Sequence, residues 1–380
     1  MKVVKFGGTS LGNSERFNLA IDSVSSLVKK NEKVIVVVSA MGDETDELIS
    51  LIKGVGWKEE PEFLSLGEIK SARLFYFGIK SRGIDGVVIE PSSPYWPLFI
   101  KDMEIIEDIA FKKVSSILND LKDKSVFIFP GFIAIDESGK IITLGRGGSD
   151  TSAFMLGKLF NADEVIIVTD VEGVYNLDPN LFPAEKIKEI SADKLMTLSS
   201  FGAKVMHEEA LRFKDKNQKS KIIHYKFGDL EYEGTGIFGE VKRDIFLFKD
   251  DVSLITIHKE GIISDLWDLL KILNGTRIFS IITGVDFLGI YIPSNELKET
   301  IEKMLVIKSV DITYKNGISI VVLRKEVPVD RPGLVSSILE ELKKANISIV
   351  EISSIGREIQ IFVKKEDTEN VLSILRKENL

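Results

Sequence analysis

Lys5 stands two residues ahead of the pair Gly7 and Gly8, at the end of a short run of strand-forming residues, Lys2 to Phe6. One ammonium beside a glycine turn is chemistry that suits a phosphate: glycine lets backbone N–H groups approach an anion closely. Two further glycine clusters repeat the pattern. Ser39 to Gly42 (SAMG) follows the run Val34–Val38, and Gly145 to Asp150 (GRGGSD) leads into a helical pattern over Thr151–Leu159. A helix N-terminus behind such a turn adds positive potential. Each cluster alone also fits a tight turn, with Ser149 or Asp150 as a plain helix cap. Three such clusters and a lysine at strand ends point to phosphate handling, because open α/β sheets place ligands there.

Other phosphate chemistries lack their residues. There is no G-x-x-x-x-G-K-[ST] loop, no G-x-G-x-x-G after the first strand, and no H-R-D with D-F-G set. The chain has no cysteine and three histidines, His207, His224 and His258. That excludes disulfides and thiolate chemistry and leaves little room for a zinc site or a Ser-His-Asp hydrolase. No residue set reads as a metal site. A formal net charge of -8 over 380 residues argues against a nucleic-acid binder. The N-terminus lacks a signal-type apolar run and no stretch reaches membrane-spanning length, so a cytoplasmic protein with no membrane partner is expected.

The elements that must position these residues follow an α/β alternation over 1–240. Strand patterns at 2–6, 34–38, 126–129 and 161–169 are separated by helical patterns at 14–30, 44–53, 65–82 and 102–121. After 240 the pattern changes to two rounds of a β-α-β-β-α unit with a period of about 65 residues. Three segments are therefore expected: 1–240, 241–316 and 317–380.

With the motifs in place, the chain resembles the aspartate kinases of the amino-acid kinase superfamily. The resemblance is carried by KFGGTS at 5–10, VSAMG at 38–42 with Thr45, FLSLGE at 63–68, GRGGSDT at 145–151, TDVEGVY at 169–175 with Asp178 and Pro179, and FGAKVMH at 201–207. VDRPGL at 329–334, before an amphipathic helix, resembles the opening of an ACT unit. The implied fold is an open, mostly parallel sheet with helices on both faces, followed by tandem ferredoxin-like ACT units. Asn180, Thr197 and the stretch 91–101 depart from the family pattern.

The resemblance implies transfer of the ATP γ-phosphoryl group to the β-carboxylate of aspartate, with Mg²⁺ as companion of the nucleotide. Lys5, Asp150 and Lys204 are the implied catalytic set. Lys5, Gly7, Gly8, Ser10, Thr169, Asp170, Tyr175 and Lys204 would bind ATP. Ser39, Thr45, Glu68, Arg146, Gly147 and Ser149 would bind the amino acid, with Arg146 on a carboxylate and Glu68 on the ammonium. Asp330, Pro332, Gly333, Leu334, Asn346 and Ile347 would form a regulatory edge for an amino-acid effector. A homodimer or dimer of dimers through the ACT units is also implied. The alternatives are a kinase of another small amino acid and a non-catalytic amino-acid sensor.

Overall fold

The computed structural model describes residues 1–177, 179, 181–200, 206–242, 244–259, 262, 266–306, 311–325, 329 and 333–377. The chain divides into two compact units, Met1–Val241 and Lys242–Leu380.

The first unit runs β1 (Lys2–Phe6), α1 (Ser14–Lys29), β2 (Val34–Val38), α2 (Glu44–Gly54), α3 (Pro61–Leu64), α4 (Leu66–Ser81), β3 (Gly86–Val88), β4 (Phe99–Lys101), β5 (Glu104–Ile105), α5 (Glu107–Asp120) and β6 (Val126–Pro130). It continues with β7 (Ile133–Asp136), β8 (Ile141–Thr143), α6 (Gly148–Leu159), β9 (Glu164–Thr169), β10 (Glu189–Ser191), α7 (Ala192–Ser200), β11 (Lys219–His224) and β12 (Thr235–Phe238). Eight strands form one sheet in the order β10-β12-β11-β9-β1-β2-β6-β3. From β11 to β3 every pairing is parallel. Parallel strands buried on both faces explain the unbroken apolar runs. Val3, Ile35, Val37, Phe127 and Phe129 face one core, which α6 completes with Phe154 and Leu156. Val4, Val34, Val36, Val126 and Ile128 face a second core with Phe17 of α1 and Phe75 and Ile79 of α4.

From β1 the chain crosses to β2 on one side, while β9 pairs on the other. Strand order thus reverses at β1, which puts Lys5 and Gly7–Gly8 at the crevice where open sheets bind ligands. A smaller, separate sheet has the order β5-β4-β7-β8. The stretch 91–101, which departs from the family pattern, supplies β4 to it. Trp96 is buried there and donates its indole N–H to Leu98 O at 3.1 Å.

The second unit comprises β13 (Asp244–His258), α8 (Leu266–Ile272), β14 (Ser280–Thr283), β15 (Phe287–Pro293), α9 (Leu297–Met304), β16 (Asp311–Arg324), α10 (Leu334–Lys344), β17 (Ile349–Ile355), β18 (Glu358–Lys364) and α11 (Thr368–Lys377). Its sheet is continuous, in the order β14-β15-β13-β16-β18-β17. The division expected at 316/317 falls inside β16. The two long strands β13 and β16 are shared: Asp244–Leu247 pairs with 321–324, while 254–258 pairs with 311–315. Register shifts between Leu247 and Leu254 bend the strands, as bulges do. Helices α10 and α11 cover one half through Ile338, Leu342, Val371 and Leu375, and α8 and α9 cover the other through Leu269 and Met304. The bend brings β15 to β17 and β18. Tyr291 packs on Phe362 with ring centroids 4.3 Å apart, and its hydroxyl donates to Glu351 Oε2 at 2.7 Å.

Candidate active site

Four strand ends converge on the crevice. Gly7 N donates to Val168 O at 3.1 Å, Ser39 N to Phe6 O at 3.1 Å, Gly42 N to Gly8 O at 3.0 Å and Gly131 N to Val38 O at 2.9 Å. The loops after β1, β2, β6 and β9 are thereby stitched into one rim. Gly8 is required by close approach: a Cβ there would lie 2.9 Å from Ala40 O and 3.0 Å from Gly42 O, both backbone atoms. Gly147 is required twice over. It caps α6 in the left-handed region at φ 72°, and a Cβ would lie 2.1 Å from that of His207.

Lys5 is the last lysine of β1 and is nearly buried. Its Nζ forms an ion pair with Asp150 Oδ1 at 2.6 Å. Asp150 lies in the first turn of α6, so strand and helix each deliver one charge to the crevice. A buried carboxylate fixes the lysine side chain, and a fixed cation is what an incoming phosphoryl group needs. Lys204, expected opposite, lies outside the described residues.

Ser10, expected to face a phosphate, is buried and donates its proton to Val168 O at 3.2 Å. It holds the first glycine turn against β9. Ser149 is buried beneath Gly131, where a Cβ would lie 2.8 Å from its Oγ. Arg146 is exposed between Gly145 and Gly147, both at positive φ. Its guanidinium is thus carried on an exposed turn at the start of α6.

Glu68, in the first turn of α4, is 2% exposed. Its Oε1 accepts from Ala40 N at 3.3 Å, tying the second glycine loop to α4. Burial is the main force on this carboxyl and pushes its pKa up to about 7; hydrogen bonds from backbone N–H groups oppose that, and the charge of Glu44 adds to it. Ser39, at the start of the second glycine loop, and Thr45, in the first turn of α2, are half-buried.

At the end of β9, Thr169 Oγ1 donates to Asp170 Oδ1 at 3.2 Å, and Asp170 is exposed. Tyr175 is half-buried and bridges to Lys186. The neighbouring end of β11 carries His224, in register with Thr169.

In the second unit, Gly333 caps α10 at φ 93° and Leu334 begins it. Asn346, at φ 57°, and Ile347 lie just past its end, beside a cavity of about 220 Å³ also lined by Leu339, Lys343, Ser348 and Ile349. The two stretches expected to form one regulatory edge therefore stand at opposite ends of an 11-residue helix, roughly 16 Å apart at 1.5 Å per residue. Asp330 and Pro332 lie outside the described residues.

The reversed strand order, the glycine rim and the lysine–aspartate pair define a phosphotransferase of the amino acid kinase class. The amino acid kinase family model matches residues 1–224 and an ACT domain model matches 313–377, and the chain belongs to that kinase family. Within it the chain falls among the aspartokinases. It is 31% identical to the aspartokinase of Geobacillus stearothermophilus over 384 residues, covering 93% of this chain and 92% of that one. The aspartokinase of Bacillus sp. (strain MGA3) is 30% identical over 402 residues, covering 98% and 95%. The fold is shared with the solved aspartate kinase from Synechocystis, at a TM-score of 0.77 and 23% identity over 99% of this chain and 69% of that one. It is also shared with E. coli aspartokinase III in complex with aspartate and ADP, at 0.56 and 21% over 99% of each chain.

Proposed function

We propose that this chain is an ATP-dependent kinase of the aspartate β-carboxylate, forming 4-phospho-aspartate. The observation that carries the reading is the Lys5–Asp150 ion pair at the rim of glycine turns. Near-full-length similarity to aspartokinases supports the choice of substrate. The acceptor is a carboxylate and is already ionised at neutral pH, so no general base is required. The barrier is the approach of two anions. Lys5 offsets it by meeting the transferring phosphoryl oxygens, with Asp150 holding the ammonium in place. The backbone of Gly7 and Gly8 adds donors beside it. Lys204 holds the phosphates from the other side in this reading. Thr169, Asp170 and Tyr175 serve the nucleoside, while Arg146 and Glu68 grip the two ends of the amino acid.

Among the described residues no cluster of three or more His, Cys, Asp or Glu is arranged to hold a metal. Mg²⁺ is expected from the ATP chemistry, as the companion of the nucleotide phosphates and an ion that keeps several waters. E. coli aspartokinase III has been solved with lysine and aspartate, and ACT units here make an amino-acid effector the natural regulator. Because Gly333 and Asn346 stand at opposite ends of α10, an effector touching both would draw them from two copies of the unit. A homodimer provides that. No described helix is long and apolar enough to cross a membrane.

The test is ADP release with aspartate, glutamate and acetylglutamate, each with and without lysine and threonine. Turnover confined to aspartate is expected. A preference for another acid, or nucleotide binding without any turnover, would contradict the reading.

A further inference from the structure

The first turn of α4 and the start of α2 hold two carboxylates that the glycine rim does not explain. Glu68 Oε1 accepts a hydrogen bond from Ala40 N, while its Oε2 is buried and unpartnered among the described residues. Glu44, the first residue of α2, accepts a hydrogen bond from Lys70 Nζ at Oε1. Its Oε2 is likewise buried and unpartnered among the described residues. The two side chains are near enough for one charge to act on the other. Gly67 makes this possible. A Cβ at that position would lie 2.8 Å from the Ala40 Cβ and 3.6 Å from the Glu44 carboxyl carbon, so α4 can press against the loop and bring both acids together.

Two desolvated carboxylate oxygens without donors are costly and repel each other. A cation carrying several N–H donors reverses both penalties, and an ammonium carries three. Lys70 does not fill that role, because its amine is engaged at the outer oxygen and its side chain is about half exposed. We infer that Glu44 is a second ligand for the α-ammonium of the amino-acid substrate, acting with Glu68 as a two-carboxylate clamp at the junction of α2 and α4. The inference deepens the aspartate-kinase reading and rests on it.

The clamp also sets specificity. It orients the substrate with its ammonium toward α2 and α4, and its carboxylates toward Arg146 and Lys5. A dicarboxylic acid without an amino group brings no cation to the two glutamates and meets only their repulsion.

The experiment compares aspartate as substrate with succinate as competitive inhibitor, in the wild type and in Glu44→Gln, Glu44→Asp and Lys70→Met. Glu44→Gln is expected to raise the aspartate KM about tenfold, with kcat within about threefold and the ATP KM unchanged. The succinate Ki should stay level or fall, since one repelling charge is gone. Glu44→Asp should lie between wild type and Glu44→Gln. Lys70→Met reads the ion pair alone and should leave the aspartate KM within about twofold. An unmoved aspartate KM in Glu44→Gln overturns the inference. So does equal weakening of aspartate and succinate, or a Lys70→Met loss as large as that of Glu44→Gln. If the wild type ignores aspartate, the same variants are read with the amino acid it does use and that acid's deaminated analogue. A loss confined to the amine-bearing ligand then upholds the clamp while the aspartate reading falls.

Discussion

Lys5 and Asp150 are 145 positions apart in sequence, yet their side chains meet at 2.6 Å, each about one-tenth exposed. The pair exists because β1 and the start of α6 reach the same crevice. Its consequence is kinetic. Lys5→Ala is expected to lower kcat by about 10³-fold while nucleotide binding falls far less, since the lysine acts most on charge in the transition state. Asp150→Asn should cost less, about 10- to 100-fold, because the ammonium remains but loses its anchor. Single-turnover rates with separately measured ATP affinity check both. A Lys5→Ala enzyme working near the normal rate with ATP binding unchanged would remove the charge-clamp role.

Arg146 should act on the amino acid alone. Arg146→Ala is expected to raise the aspartate KM by about 10- to 100-fold, as loss of a bidentate carboxylate grip does, with little change in the ATP KM. Steady-state kinetics with each substrate varied in turn separate the two constants, and an unchanged aspartate KM would end the assignment.

Glu68 links activity to pH. Its pKa stands near 7 in the folded protein against an ordinary 4.5. An ammonium is held by the carboxylate form, so kcat/KM for aspartate should rise through about pH 7 and then level off. Glu68→Gln should abolish that limb together with most of the affinity.

The same residue should cost stability. Between pH 4.5 and about 7 the folded protein keeps a proton that the unfolded chain has released. Folding stability from this group is complete below that window and is lost as pH rises through it. Glu68→Gln should therefore raise the melting temperature at pH 8, by a contribution of at most about 3 kcal/mol, and leave it nearly unchanged near pH 4.5. Thermal melts of both proteins across the range provide the check. Higher wild-type stability at pH 8 would show that Glu68 is not held at strain in the free enzyme.

Gly8 offers a backbone test. Gly8→Ala places a methyl 2.9 Å from a carbonyl oxygen that cannot move aside without shifting the second glycine loop. A stability loss of about 1–3 kcal/mol is expected, with a fall in kcat because the rim is displaced. Gly139, at positive φ but facing open space, is the contrast: Gly139→Ala should cost stability through backbone strain and leave kcat alone.

Much of this was legible in the sequence, and for a reason. The strands of the large sheet are buried on both faces, so Val34–Val38 and Val126–Pro130 read as unbroken apolar runs. The small sheet was not legible, since β4, β5 and β8 are only two or three residues long. The shared strand β13 was hidden as well. Asp250 and Asp251 look like a polar loop, but the strand passes through them in a bulge where Ser319 Oγ donates to Asp250 Oδ1 at 2.7 Å. In the site, motif order supplied Lys5, Asp150 and Glu68. It could not supply what depends on packing: that the proton of Ser10 goes to Val168, or that Glu44 stands beside Glu68.

The central claim is that a phosphoryl group ends on the aspartate side-chain carboxyl. An acyl phosphate is trapped by hydroxylamine as a hydroxamate, whereas a phosphate on an amine or hydroxyl is not. Incubation with ATP, aspartate and hydroxylamine should give aspartyl β-hydroxamate in step with ADP, and neither in Lys5→Ala. ADP release without hydroxamate, or hydroxamate formed as readily from glutamate, would contradict the account.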